Sequence, residues 1–393
     1  MTTPDFAEHQ RQPLERVVLD DGVVGLRWPD GVEFECLGLW LHEQSAGIDP
    51  ITREGTLDPS QLPPFDVLDD AVAGPSGDLV CTWIDGSVTT VDAGWLHHVA
   101  SGAHLPDASV GRLRRWTAVD AANAPIHDGG AILDDEAVLE SWLRELCTAG
   151  VARLTGCPVD DDFLGHLARR LGPIRGSNFG DLFTVEAVVD PDSTANTGLA
   201  LGQHTDLPTR ETPPGFQILH CVENTVSGGA SRMADGLVVV DELRTRHPDA
   251  YDALTTLEWV FANRAPDGDH RWIGPVIDLG GPRSPLTLRA FYPVRLAPFM
   301  PIEEQPRAYD ALRVFSEVAH DPRVMTSTPF GAGDLVAFDN RRILHGRDAF
   351  DPTAGRRRLR GCYLDHDDVY SRVRVLRRPG RTSIVHTPGG STS

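Results

Sequence analysis

Residues 199–206 read LALGQHTD. His204 and Asp206 stand two apart, so on a strand that continues through them both side chains point to one face. An imidazole and a carboxylate on one face are two thirds of the 2-His-1-carboxylate facial triad, which holds Fe(II) and leaves open positions on it. The HxD pair alone is common by chance and fits an ordinary strand end equally well. A second stretch, GDLVAFDNRRILHGR, adds a strand, an Asp-Asn turn and a short strand carrying His345, and Arg357 follows. A planar guanidinium grips a carboxylate through two parallel bonds. HTD, strand, turn, His and Arg therefore come in the order needed to bind iron and a dicarboxylate.

The composition removes competing chemistries. The chain has 393 residues, and all 36 of its basic residues are arginine. Without lysine there is no Schiff base, no pyridoxal-phosphate anchor and no P-loop cation. The formal net charge is -21, a field that repels phosphate backbones and argues against a nucleic-acid partner. Arginines crowd the C-terminal region, with RRRLR at 356–360 and RRPGR at 377–381, but alternate there with Leu359, Gly361 and Tyr363. That is strand patterning, with arginines facing solvent or a buried anion. The six cysteines include no CxxC pair, so neither a zinc ribbon nor a thioredoxin-type motif is expected. No run is long enough to span a membrane, and the N-terminus lacks an apolar h-region. The compartment expected is the cytoplasm.

The elements that must position these residues fall into two regions. RVVLDDGVVGLRWPDGVEFECLGLWLHE and LVCTWIDGSVTTVDAGWLHHVA give short alternating runs split by Asp-Gly pairs, the signal of β-hairpins. Residues 1–105 are expected to be a small β-rich domain and 106–393 the catalytic one. In the second region LDDEAVLESWLRELCTAG predicts a helix ended by Gly150, and Asp160 is placed to cap another over DDFLGHLARRLG. HPDAYDALTT and PRAYDALRVFSEVAH predict two more. GFQILHCV, GLVVV, LTLRAFY, DLVAFDN and RLRGCYLD read as strands. The expected class is α+β, with helices outside an antiparallel sheet system. Strand parity sets Arg357, Leu359, Gly361 and Tyr363 on one face, and Arg356, Arg358 and Arg360 on the other.

With those strings in hand, the region from about 130 to 380 resembles the Fe(II)- and 2-oxoglutarate-dependent dioxygenases of the taurine-dioxygenase superfamily. Within it the closest resemblance is to the γ-butyrobetaine and trimethyllysine hydroxylase family. The strings that carry it are HTDLP, PPGFQILHCVENTVSGGASRMADG, GDLVAFDNRRILHGR and RLRGCYLDHDDVYSRVRVL. The resemblance implies a double-stranded β-helix (jelly roll) with iron on His204, Asp206 and His345. It also implies that Arg357 pairs with the distal carboxylate of 2-oxoglutarate, supported by Ser231, and that O2 is the second co-substrate. In related halogenases a small residue replaces the carboxylate, so Asp206 favours hydroxylation of an aliphatic C–H.

Two departures narrow the expectation. The family's N-terminal domain binds zinc through cysteines after a Trp-Leu pair, whereas Trp40-Leu41 is followed by HEQSAGIDP. Cys36 and His42 do not make a tetrahedral site, so a zinc-free domain serving in packing or dimerisation is expected. The family also cages a quaternary ammonium with aromatic rings, and the matching positions here are Phe179, Phe183, Asn196 and Tyr363. Phe291 and Tyr292 stand where the family often has paired asparagines. The expected substrate is therefore a small amine, amino acid or zwitterion, with γ-butyrobetaine or a natural-product intermediate as the alternative. A cupin-like metal-binding module is the non-enzyme alternative.

Overall fold

The computed structural model describes residues 3–104, 111–187, 196–265, 268–280, 286–290 and 292–378. The chain divides into two compact units, Met1–Ser109 with Arg374–Ser393, and Val110–Val373.

In the first unit β1 (Arg16–Asp20), β2 (Val23–Arg27) and β3 (Glu33–Leu37) form one antiparallel sheet. A second contains β4 (Leu68–Ala73), β5 (Leu79–Trp83) and β6 (Val88–Val91). The Asp-Gly signals act as read. Asp21 and Gly22 both take positive φ (46° and 76°) between β1 and β2, the two-residue turn whose twist suits a hairpin. Trp28, Leu41, Trp83 and Leu96 bury a shared core. Two segments read as strand are helical, Gly38–Glu43 and Ala93–Ala100. The second begins because Asp92 accepts a hydrogen bond from the Trp95 N–H at 2.8 Å, an N-cap that overrides the alternation.

In the second unit six strands run in the order β7 (Ile126–Asp128), β8 (Val151–Thr155), β18 (Leu335–Asp339), β11 (Phe216–Asn224), β20 (Arg357–Leu364) and β9 (Leu182–Glu186). Four more run β10 (Leu201–His204), β19 (Ile343–Arg347), β12 (Ser231–Asp235) and β17 (Met325–Thr328), and two hairpin pairs join β13 (Trp259–Ala265) to β14 (Gly268–Gly274) and β15 (Ile277–Asp278) to β16 (Thr287–Leu288). Met233 and Ile343 of the four-stranded sheet pack with Cys221, Val336, Phe338 and Leu359 of the six-stranded one. The two sheets therefore share one core. Helix Glu136–Ala149 covers β8 and β18; Asp135 caps its start and Gly150, at φ 76°, ends it. The next helix, Phe163–Leu171, has Asp162 rather than Asp160 at its N-cap position; Asp160 stands two residues before it and accepts from the N–H groups of Asp162 and Phe163 at 3.0 and 2.7 Å.

The strand expected at GLVVV is instead the first turn of helix Gly236–Arg246. Asp235 ends β12 and accepts from the Leu237 N–H, while its carboxylate also holds Arg342 through bonds of 2.9 and 2.8 Å. A Cβ on Gly236 would sit 2.2 Å from the Arg342 carbonyl oxygen, so the chain can turn into the helix here only at glycine. Intrinsic β-preference loses to a cap anchored on a buried ion pair.

Candidate active site

His204 closes β10, and its direct partner across the ladder is His345 of β19. Directly opposed residues of antiparallel strands share a face, which brings the two imidazole centroids to 4.1 Å. Asp206 lies beyond the end of β10, so the strand does not continue as the alternation argument required. Its carboxylate reaches the same place nonetheless. Oδ1 is 3.2 Å from His204 Nε2 and 3.7 Å from His345 Nε2.

Asn340, in the turn between β18 and β19, replaces the missing ladder. Its side-chain oxygen accepts from the Asp206 N–H at 2.7 Å, and its NH2 donates to the carbonyls of Asp206 at 3.0 Å and Pro214 at 3.3 Å. The next residue, Leu207, takes φ 52°, an uncommon conformation for a bulky side chain that surrounding contacts must hold at a cost of about 1–3 kcal/mol. Arg289 supplies part of that hold. Its buried guanidinium lies 3.6 Å from the Trp272 ring centre and donates to the carbonyls of Pro208, Arg210 and Glu211.

The ligand atoms of His204, Asp206 and His345 lie within 4.8 Å of one another. Burial, with His204 alongside, pushes His345 down to about 3, so its ring is neutral and has a lone pair to give. Burial alone would raise the Asp206 carboxyl, but contacts to His204 Nε2 and the Tyr363 hydroxyl outweigh it and hold it below the usual carboxylate range. His204 Nδ1 lies 2.9 Å from the Gly202 carbonyl, a bond that aims Nε2 at the metal position. Two imidazoles and one carboxylate are the donor set of a non-haem Fe(II) centre.

Tyr363 donates its hydroxyl to the other carboxylate oxygen, Asp206 Oδ2, at 2.7 Å. Its ring centre lies 5.0 Å from Phe183, which lies 6.2 Å from Phe179. Phe183 and Tyr363 pack with Leu207, while Phe179 is 39% exposed. A Cβ on Gly361 would come within 2.3 Å of the Phe183 ring, so this glycine lets the ring lie against β20. Asn196 is turned to the backbone, accepting from the Glu186 N–H at 3.4 Å. Tyr292 is exposed, beside Gly202. Phe291 lies outside the described residues.

Strand parity holds on β20. Leu359, Tyr363 and Arg357 are buried, the last at 4% exposure. Arg358 pairs outward with Asp161 at 2.6 Å, Arg360 donates to Thr184 Oγ1 at 2.8 Å, and Arg356 pairs with Glu186. Arg357 has no ion pair among the described residues, and its Nε has no hydrogen-bond acceptor. It faces Gly229 and the Phe350 ring, and Arg347 approaches the same ring at 4.9 Å. A buried cation without an anion is costly, so this pocket suits a carboxylate from a bound molecule. Ser231 sits opposite Arg347 on β12. It also lines a separate cavity of about 230 Å³ with Trp116, Arg153, Met233 and Phe330, in which the metal-facing residues take no part.

Two residues of the site were not legible in the sequence: Asn340, which reads there only as part of a turn, and Arg289, two and three positions before Phe291 and Tyr292. The one signal was the side-chain amide beside the strand end at Asp339.

Residues 113–363 match the model of the taurine catabolism dioxygenase TauD, TfdA family. The gamma-butyrobetaine dioxygenase of Pseudomonas sp. (strain AK-1) is 36% identical over 360 residues, 90% of this chain and 94% of that one. The mitochondrial trimethyllysine dioxygenase of Rattus norvegicus is 28% identical over 307 residues, 76% of this chain and 72% of that one. Among solved structures, asparagine oxygenase in complex with Fe(II), 2S,3S-3-hydroxyasparagine and succinate has a TM-score of 0.48 at 22% identity, covering 58% of this chain and 78% of that one. The matched span contains the facing histidines, the Asp206 carboxylate between them and the unpaired Arg357. The chain belongs to the TauD, TfdA family and is an Fe(II)- and 2-oxoglutarate-dependent dioxygenase.

Proposed function

We propose that this dioxygenase hydroxylates an aliphatic C–H of a small amine, amino acid or zwitterion whose cationic end packs on Phe179, Phe183 and Tyr363. One observation carries the reading: the aromatic run ends on Tyr363, which is hydrogen-bonded to the metal-facing carboxylate of Asp206. A cation on that wall holds the neighbouring carbons of the same molecule beside the metal position. Each well-placed ring contributes about 0.5–2 kcal/mol to holding the cation, and positioning of the reacting carbon is where such binding energy acts.

Iron on His204, Asp206 and His345, with 2-oxoglutarate and O2, supplies the oxidising chemistry, in which decarboxylation to succinate and CO2 drives the hydroxylation. The chain's own residues do the rest. Arg357 takes the distal carboxylate of 2-oxoglutarate, and Ser231 supports the co-substrate. Asp206 stays ionised and the His345 imidazole stays neutral, so both are ready to give a lone pair to the metal. The two facing sheets are read as a double-stranded β-helix, and the N-terminal unit as a zinc-free domain used in packing or dimerisation.

A second reading is favoured by the 36% identical gamma-butyrobetaine dioxygenase, which matches along nearly its whole length: the substrate is γ-butyrobetaine itself. Asn196 in place of a ring argues for a smaller or less methylated ammonium group. A screen of betaines, amino acids and amines decides, scored by a mass gain of about sixteen together with succinate release. Product from amines or amino acids with little from γ-butyrobetaine supports the first reading. Efficient conversion of γ-butyrobetaine establishes the second, and no succinate with any compound refutes both.

A further inference from the structure

We propose that Tyr363 is a positioning residue for the metal, which together with Asn340 holds Asp206 as a one-oxygen ligand. This rests on the reading that Fe(II) sits on His204, Asp206 and His345.

The observation is a division of labour between the two oxygens of one carboxylate. Oδ1 faces both imidazoles, at 3.2 and 3.7 Å from their Nε2 atoms. Oδ2 is engaged by the Tyr363 hydroxyl at 2.7 Å. A carboxylate can bind a metal through one oxygen or both. Three protein atoms on a six-coordinate ion leave three positions, enough for two co-substrate oxygens and one open site. A fourth protein atom would remove one of them.

Two features make the hold firm. Tyr363 is buried, and its ring is packed against Phe183 and Leu207, so the hydroxyl has little freedom to swing away. The backbone of Asp206 is fixed independently, since Asn340 bonds both its N–H and its carbonyl. The clamp comes from two unconnected elements, the inner face of β20 and the β18–β19 turn. Asp206 lies beyond the end of its strand and has no ladder of its own. Without the turn the side chain has no fixed origin, and without the phenol it has no fixed rotation. Tyr363 thus belongs to the metal site as well as to the aromatic wall.

The test uses the full chain loaded with Co(II), whose visible absorption reports coordination number. Tyr363→Phe keeps the ring and removes only the hydroxyl. Loss of such an outer partner costs roughly 10–100-fold in metal affinity. The expected result is a Co(II) dissociation constant raised by about that factor, with an altered absorption spectrum before and after 2-oxoglutarate is added. Asn340→Ala should weaken Co(II) in the same direction, and Asn340→Asp, which keeps the acceptor, should weaken it less. A role confined to the substrate wall would raise the KM for the organic substrate and leave Co(II) titration and spectrum unchanged. Co(II) affinity within twofold of the parent and an identical spectrum in Tyr363→Phe overturn the proposal. His345→Ala is the control: if it loses Co(II) while Tyr363→Phe does not, the clamp fails alone. If His345→Ala also binds normally, the metal assignment fails and the clamp with it.

Discussion

Arg357 makes a prediction with two opposite signs. This guanidinium is 4% exposed, and its Nε has no acceptor among the described residues. Removing it should cost the fold little, because an unpaired buried charge is itself unfavourable. Arg357→Met should therefore leave the ligand-free melting temperature unchanged or raise it. With 2-oxoglutarate bound the sign reverses. Truncating one partner of a buried, hydrogen-bonded charge pair costs about 2–5 kcal/mol, which at about 1.4 kcal/mol per decade is roughly 30-fold to 4,000-fold in affinity. Arg358, the next residue, is the control. It faces outward and pairs with Asp161, whose side chain is 57% exposed, an interaction worth about 0–1 kcal/mol. Calorimetric titration of 2-oxoglutarate into the Mn(II)-loaded variants measures the affinities, and thermal unfolding with and without 2-oxoglutarate measures linkage. Equal losses for Arg357→Met and Arg358→Ala, or 2-oxoglutarate affinity within threefold of the parent in Arg357→Met, refute the strand-face argument.

Three further outcomes are expected. His204→Ala, Asp206→Ala and His345→Ala should each abolish turnover while leaving a folded protein by circular dichroism; near-normal activity in two of the three overturns the ligand set. Metal analysis after iron removal should find no stoichiometric zinc, because no cysteine follows Trp40-Leu41 in HEQSAGIDP and Cys36 with His42 does not make a tetrahedral site, and about one zinc per chain would refute this. Asn196→Tyr should improve any activity on betaines by supplying a missing aromatic face, read as kcat/KM on γ-butyrobetaine, and an unchanged or lower value counts against the cage geometry.

Elements whose ends carry their own chemistry were readable from the chain. Helix Glu136–Ala149 has its cap at Asp135 and its left-handed stop at Gly150 within the segment itself. On β20 the sorting of three arginines was legible because only one of them shares parity with Leu359 and Tyr363. GLVVV failed for the opposite reason. Its β-branched run is a strand by composition, and the decision belongs to Asp235, held by Arg342 from a distant part of the chain. No local window contains that ion pair.

The candidate site divides along the same line. His204 and His345 were identifiable as chemistry because residue type limits what a metal will accept, and β-pairing then sets them face to face. For Asp206 the face was right and the cause was wrong. Alternation along a strand would put it beside His204, yet the strand has already ended, and a side-chain amide from the β18–β19 turn supplies what the ladder does not. A carboxylate placed by strand alternation would be bound to the pleat of its sheet, with orientation fixed by backbone neighbours. A carboxylate placed beyond the strand end can be oriented by side chains alone, and here those are Asn340 and Tyr363. That arrangement couples the metal position to the aromatic wall through one phenol. On the proposed substrate site, a change in how a substrate packs on Tyr363 should then be felt at Asp206, and a change at Asp206 by the substrate, since a shared hydrogen bond acts in both directions.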